Sequence, residues 1–433
     1  MIYWAQLLHF YQPPTQSPAI LRKVCDESYR PLIEVLNRYP QAKVTVNING
    51  VLTEMLRDCG HGDIISGLKQ LAKKEQIEFT GSGKYHPVLP LIPLKEVERQ
   101  IQLNYRTNRQ FFGTCYEPKG FFPPEMCYGK QIVDPVLDSG HRWIILAGIA
   151  HPCPENWPVD VVHHIEDSNK RLMVFFRDDI VSNKISFRKL EPAEFLDNLR
   201  YIKGNRKDVY IVTAMDAETF GHHIQHWEEL FLAEVYEQIG ISKQTLFSPK
   251  QATVLAHLHS LFYENGNMAE EVRPVTISEL LQLFPQGGQV EPIASSWGTS
   301  AQDLAAGNPY PLWKEQGNEI HRLQWEHMNI AIEQVDKAME VADNDEAKRF
   351  ANIARGLLDR ALHSCQFWWA SRRPMWDINL VHMGLLQQLR AIVNAYRAIN
   401  LSQAEEDIKR DYYHKLVAAR DLRNKITDRL FVW

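Results

Sequence analysis

The sequence predicts an α/β fold: a barrel of parallel strands followed by a C-terminal helical bundle. Three observations carry that expectation. Short apolar or β-branched runs recur through the first two-thirds of the chain, segments of helical spacing stand between most of them, and the last third turns helical throughout. Strand and helix alternate in this way because parallel neighbours need a crossover long enough to hold a helix.

The strand-like runs lie at about residues 2–9, 43–49, 76–81, 117–122, 142–147, 209–214 and 272–276. A typical crossover is Leu94-Lys95-Glu96-Val97-Glu98-Arg99-Gln100-Ile101-Gln102-Leu103, with apolar residues at helical spacing. Seven such strands in a chain of this length point to a barrel. Chemically capable residues recur where the runs end: His9 and Gln12, Asn47 and Asn49, Lys84, Tyr85 and His86, Glu125, and Asp216. A barrel collects such residues in one pocket at the carboxyl ends of its strands, whereas an open doubly wound sheet concentrates them at one switch point.

From about residue 320 the spacing is helical. Leu385, Leu386, Leu389, Ile392, Val393 and Tyr396 form one apolar face, and similar stretches cover about 325–342, 346–365 and 402–428. Before them comes a loop-rich stretch with Ser295-Ser296-Trp297-Gly298-Thr299-Ser300 and Gly307-Asn308-Pro309-Tyr310-Pro311-Leu312-Trp313. The expected organisation is a catalytic barrel over 1–290, an aromatic connection over 291–320, and a helical domain over 321–433 that packs on the barrel and contributes to its cleft.

With 433 residues, 45% hydrophobic and 23% charged, the chain can bury a large core. A net charge of −5 gives no general drive toward nucleic acid or an anionic membrane, so a neutral small molecule or sugar is the easier partner. The six cysteines are scattered without a Cys-x-x-Cys pair and read as reduced thiols. The first residues lack a basic leader and a small-residue cleavage site, and no run approaches a membrane span, which gives a cytoplasmic expectation. Oligomeric state is not legible.

Two acidic residues stand directly after buried-strand patterns. Glu125 follows Gly120-Phe121-Phe122-Pro123-Pro124, whose prolines stiffen the exit from the strand; Asp216 follows Val209-Tyr210-Ile211-Val212-Thr213-Ala214-Met215. Two carboxylates facing each other across a cleft are the minimum apparatus for breaking a glycosidic bond with an acid and a nucleophile. A partly desolvated pocket shared with a second acid would raise a carboxyl pKa, as a general acid at neutral pH requires. The bland alternatives are a surface loop glutamate and an N-cap aspartate.

His9 and Gln12, Tyr85 and His86 could hydrogen-bond sugar hydroxyls, although a lone histidine is more often a satisfied structural group. Trp297 and Trp313 are candidates for stacking on a sugar ring, while Trp368 and Trp369 fit a helical core better. His222, His223 and His226, close in sequence to Asp216, invite a metal reading, but no His-Glu-x-x-His pattern appears.

On these residues the chain resembles glycoside hydrolase family 57, whose members act on α-glucans as amylases, 4-α-glucanotransferases, amylopullulanases and branching enzymes. His9-Phe10-Tyr11-Gln12-Pro13 looks like the family's first region, Tyr85-His86-Pro87-Val88-Leu89-Pro90-Leu91 its second, Pro124-Glu125 its third and Asp216-Ala217-Glu218-Thr219-Phe220-Gly221 its fourth. The resemblance implies a distorted (β/α)7 barrel with a helical region, Glu125 as nucleophile, Asp216 as acid/base, a retaining reaction on starch, glycogen or maltooligosaccharides, and no cofactor or metal.

The chain departs from the family's pattern twice. The first region usually reads His-x-His-Gln-Pro, and Tyr11 stands in place of the second histidine. The fifth usually carries an acid beside an aromatic, and His363-Ser364-Cys365-Gln366-Phe367-Trp368-Trp369 has none. No long insertion among the barrel loops stands ready for a second glucan chain, which argues against branching. The competing classes are a metal-dependent polysaccharide deacetylase or mannosidase-like hydrolase on a related barrel, and a catalytically silent glucan-binding protein.

Overall fold

A computed structural model describes residues 1–167, 170–240 and 271–432. Its sheet is built on seven parallel strands: β1 (Ile2–Phe10), β2 (Val44–Ile48), β3 (Ile77–Gly81), β4 (Gly120–Phe121), β5 (Trp143–Leu146), β7 (Lys170–Phe176) and β8 (Val209–Asp216). They lie side by side in the order β7-β5-β4-β3-β2-β1-β8. The sheet curls until its edges approach: the Asp178 N–H, just past β7, donates to the Val212 carbonyl of β8 at 2.8 Å. The result is the distorted seven-stranded α/β barrel expected.

Two strands were misassigned by the apolar runs. The barrel's sixth strand is Lys170–Phe176, whereas Val272–Val275 (β9) pairs with the first half of β1, beside the ring. The charged start Lys170-Arg171 hides the β7 pattern, and β9 is short and interrupted by Pro274. The other strands, β6 (Val162–Asp167) antiparallel to β7 and β10 (Gln286–Gln289) beyond it, extend one edge.

Alternation along each strand sorts the side chains into two layers. Ile2, Trp4, Leu8 and Phe10 of β1, Val44, Val46 and Ile48 of β2, and Val209, Ile211 and Met215 of β8 pack outward against the helices. Ala5 and Leu7, Trp143 and Ile145, Met173 and Phe175, and Tyr210, Val212 and Ala214 fill the interior. The same parity turns His9, Asn47 and Asp216 inward. In the parallel register His9 is the partner of both Asn47 and Asp216, so the three stand in one row across three strands.

Four long helices follow the barrel: α2 (Glu319–Val341), α3 (Asp345–Ala361), α4 (Ile378–Leu401) and α5 (Glu406–Val432); α1 (Leu94–Phe112) is the barrel helix they meet. A buried ion network joins the two parts. Arg355 of α3 makes two 2.7 Å bonds to Glu96 of α1, and Arg99 of α1 pairs with Asp359 of α3 at 2.7 Å. Such bidentate pairs fix orientation as well as contact. They hold the turn after α3, with Ser364 and Cys365, against the open end of the barrel.

Candidate active site

Glu125 sits past β4 with its backbone in the left-handed region (φ 59°, ψ 16°), and Met126 follows at φ 48°. His86 is left-handed too, at φ 58°. Non-glycine residues held there cost on the order of 1–3 kcal/mol each and persist only where surroundings impose them. The surroundings do so here. The Trp297 N–H donates to the Glu125 carbonyl at 3.2 Å, Tyr128 and Ser295 exchange backbone bonds at 2.8 and 3.2 Å, and the Ser364 N–H donates to the His86 carbonyl at 2.9 Å.

The Glu125 carboxylate is met by donors. Trp297 Nε1 donates to Oε2 at 2.9 Å, Ser364 Oγ reaches Oε1 at 3.0 Å, and His86 Nδ1 lies 3.5 Å from Oε1. Burial and the nearby Asp216 charge push Glu125 up to about 7, against the two hydrogen bonds. Asp216, at the end of β8, has no hydrogen-bond donor on its carboxylate among the described residues; burial pushes it up to about 6, opposed by the Arg177 guanidinium. Arg177 is buried and donates to the Ala214 carbonyl at 2.7 Å, fixed by Asp179 and Asn183.

A third carboxyl belongs to the group. Glu218 is buried and accepts from Gln12 Nε2 at 2.7 Å and from the Tyr29 hydroxyl. Burial, then the Asp216 charge, pushes it up to about 8. Gly221, three residues on, takes φ +104° and passes so close to Glu27 that a Cβ would stand 1.7 Å from the Glu27 carbonyl oxygen. Only glycine fits that turn.

The sequence candidates separate on this geometry. Glu125, Asp216, His9, His86 and Trp297 are brought together: the His9 ring lies edge to edge with His86 and beside Phe122, with centroids at 4.9 and 4.6 Å, and meets Trp297 edge-on at 6.0 Å. Trp297 therefore serves Glu125 as a donor. Gln12, expected at a sugar hydroxyl, instead spends its amide on Glu218. Tyr85 is buried with its N–H on Gln100 and its ring under the Lys84 ammonium at 5.1 Å, and no contact among the described residues joins it to the carboxylates. Trp313, expected as a sugar platform, is 1% exposed in the core beneath α2, with its carbonyl accepting from Trp325 Nε1 at 2.9 Å; the connection folds inward because its apolar run has a core to enter.

The metal reading finds no ligand set. His222 pairs with Glu27 at 2.6 Å, and among the described residues no group of three His, Cys, Asp or Glu side chains is arranged to hold a metal ion. Sequence reading missed Ser364, Arg177 and Glu218 as site residues. The Asp-x-Glu spacing after β8 was a signal for Glu218, and Arg177 directly follows an apolar run; Ser364 carried none. All six cysteines are free, and no described helix is long and apolar enough to cross a membrane.

Comparison with known proteins places these residues in a family. The model for glycosyl hydrolase family 57 matches residues 6–258. An α-amylase of Pyrococcus horikoshii is 29% identical over 244 residues, 54% of this chain and 37% of its own length. A 4-α-glucanotransferase of Thermococcus litoralis is 25% identical over 308 residues, 69% of this chain and 41% of its own. The chain thus spans about two-fifths of the length of these curated relatives. The crystal structure of a branching enzyme of this family from Pyrococcus horikoshii superimposes with a TM-score of 0.70 at 14% identity, covering 100% of this chain and 95% of that one, a likeness of fold. The family model takes in the second half of β1, the Glu125 turn and the Asp216 strand end alike, and this chain belongs to glycosyl hydrolase family 57.

Proposed function

We propose that this chain acts on α-glucans as a retaining glycoside hydrolase or transglycosylase, with Glu125 as nucleophile and Asp216 as acid/base. The observation that carries the reading is the asymmetry of two half-buried carboxylates at one end of the barrel. Two such groups resist ionising together, so the pair holds one proton between them over part of the pH range. Glu125 has the Trp297 and Ser364 donors to hold a charge; Asp216 has none on its carboxylate among the described residues. The Arg177 charge favours the anion on Asp216 in turn, and with Glu125 at about 7 and Asp216 at about 6 the reactive form, an anionic Glu125 beside a protonated Asp216, is reached once Glu125 gives up its proton.

In the first step a Glu125 oxygen bonds to the anomeric carbon, the glycosidic C–O bond breaks, and the Asp216 proton passes to the leaving oxygen. In the second, Asp216 takes a proton from water or a sugar hydroxyl, whose oxygen attacks the same carbon and frees Glu125. Two inversions retain the α configuration. The names of the relatives, α-amylase and 4-α-glucanotransferase, support an α-glucan as substrate.

The test is the product profile on maltooligosaccharides and soluble starch, with Glu125→Gln alongside. Shorter products alone mean hydrolysis, longer and shorter together mean transfer, and new branch points mean branching. Unchanged substrates with the wild-type protein sink the proposal.

A further inference from the structure

An unbroken row of contacts runs from β2 to Glu125. Asn47 Oδ1 lies 2.7 Å from His9 Nδ1, His9 Nε2 lies 3.0 Å from His86 Nε2, His86 Nδ1 lies 3.0 Å from Ser364 Oγ, and Ser364 Oγ lies 3.0 Å from Glu125 Oε1. Asn47, His9, His86 and Ser364 are at most 2% exposed, so water does not complete what they lack. Four contacts require four hydrogens.

The hydrogens can be counted. Asn47 gives its amide N–H to Thr80 Oγ1 at 2.8 Å, which leaves its oxygen facing His9 as acceptor. His9 therefore carries its hydrogen on Nδ1 and, as a neutral ring, offers a bare Nε2. His86 must donate from Nε2, which bares its Nδ1. Ser364 then has one hydrogen for two acceptors, His86 Nδ1 and Glu125 Oε1. With Glu125 ionised the row holds three hydrogens for four contacts. A buried acceptor left without its hydrogen is costly.

We propose that Asn47, His9, His86 and Ser364 form a proton store for Glu125: one further proton enters the triangle of His86 Nδ1, Ser364 Oγ and Glu125 Oε1, completes every contact, and leaves before Glu125 can attack. This rests on Glu125 as nucleophile. When Glu125 is esterified, the Ser364 hydroxyl turns to His86, and the three remaining contacts hold three hydrogens. The row thus favours both states in which Glu125 carries no charge, protonated and glycosylated, over the free anion. Ser364, His86, His9 and Asn47 are positioning residues in this scheme.

The surroundings keep the histidines neutral. Burial lowers His9 to about 4, against its Asn47 bond, and burial with His9 and His363 lowers His86 well below its ordinary value. The other titratable groups facing the row are Asp216, Cys365 and Cys127 around Glu125, and Tyr11, whose ring stacks on His86 at 3.9 Å. None of them occupies a link in the row.

Two measurements test the store. In histidine-labelled protein, ¹⁵N spectra at neutral pH should show His9 as the Nδ1–H and His86 as the Nε2–H tautomer; His86 found as Nδ1–H in the wild type overturns the count. In Asn47→Asp the new carboxylate draws the extra proton onto His9, His86 shifts to its Nδ1–H form, and Ser364 is free to serve the Glu125 anion. The Glu125 carboxyl titration, followed by ¹³C, and the acidic limb of kcat/KM should both move down by about one pH unit. A carboxylate acting only through space would move them up, and an upward or absent shift refutes the store. Ser364→Ala should cut the link and reduce the Asn47→Asp shift below about 0.3 unit. The titration needs no turnover, so a store without glucan activity is told apart from a failed store; if Asn47→Asp does not fold, the tautomers alone decide.

Discussion

Tyr11 Oη lies 3.4 Å from Cys365 Sγ, so the residue that stands in place of the family's second histidine touches the segment from which the family's acid is missing. Tyr11 also stacks on His86 at 3.9 Å, and Cys365 directly follows Ser364, which binds Glu125. Burial, then the nearby Glu125 charge, pushes the Cys365 thiol up to about 12, so a neutral thiol faces a neutral phenol.

If Tyr11 and Cys365 are a matched pair, the two single changes should together cost more than the double. Cys365→Asp brings another carboxylate near Glu125, and Tyr11→His leaves Cys365 without the phenol hydroxyl it meets. We expect each single variant to lose stability and kcat/KM, and Tyr11→His/Cys365→Asp to recover about 1 kcal/mol or more relative to their sum. Additive losses in melting and kinetics would show two independent changes.

Glu125→Gln should end turnover and leave melting unchanged or improved at pH 8. Burial and Asp216 raise the Glu125 pKa from 4.5 to about 7, so its contribution to stability is present below 4.5 and is lost as pH rises through 7; a neutral amide escapes that loss. Asp216→Asn should slow poor leaving groups most. By removing a like charge it should also move the Glu125 titration down, readable in the acidic limb of kcat/KM. Wild-type rates in both variants refute the two-carboxylate assignment.

Glu218 gives a pH signature separate from catalysis. Its pKa is raised from 4.5 to about 8, so the folded state binds a proton more tightly than the unfolded one and stability falls as pH rises across that window. In Glu218→Gln the fall in melting temperature between pH 5 and 8 should flatten. An identical slope in both proteins would mean that Glu218 titrates normally.

The two loop tryptophans should respond oppositely. Trp297→Phe removes the Nε1–H donor from Glu125, and a hydrogen bond to a charged group is worth ~1.5–3 kcal/mol, so kcat/KM should fall about 10- to 100-fold with little change in melting. Trp313→Ala opens a buried core site and should cost ~3–5 kcal/mol of stability. Oligosaccharide binding, measured where the variant is folded, should be nearly unaffected; a selective loss of binding would return Trp313 to the cleft.

Much of the fold and part of the site were legible because strands and their ends are local patterns. Alternation gave six of the seven barrel strands, and the residue after an apolar run gave His9, Glu125 and Asp216. The β7 strand escaped because charged residues open it, and Arg177 at its end was missed with it. Gln12 and Trp313 were assigned by residue type, which says what a side chain can do but leaves open which partner reaches it first: Glu218 for one, the core under α2 for the other.

The sequence by itself determined the alternation of strand and helix, the stiff Pro123-Pro124 exit before Glu125, and the parity that turns His9, Asn47 and Asp216 to one face, since each follows from backbone geometry over a few residues. The tertiary structure alone decided what those groups meet. His86 and Ser364 are 278 positions apart, and Glu125 and Trp297 are 172. Contacts at such separations depend on how helices pack on a barrel, because hydrogen bonds and charges act through space over a few ångströms and are blind to distance along the chain.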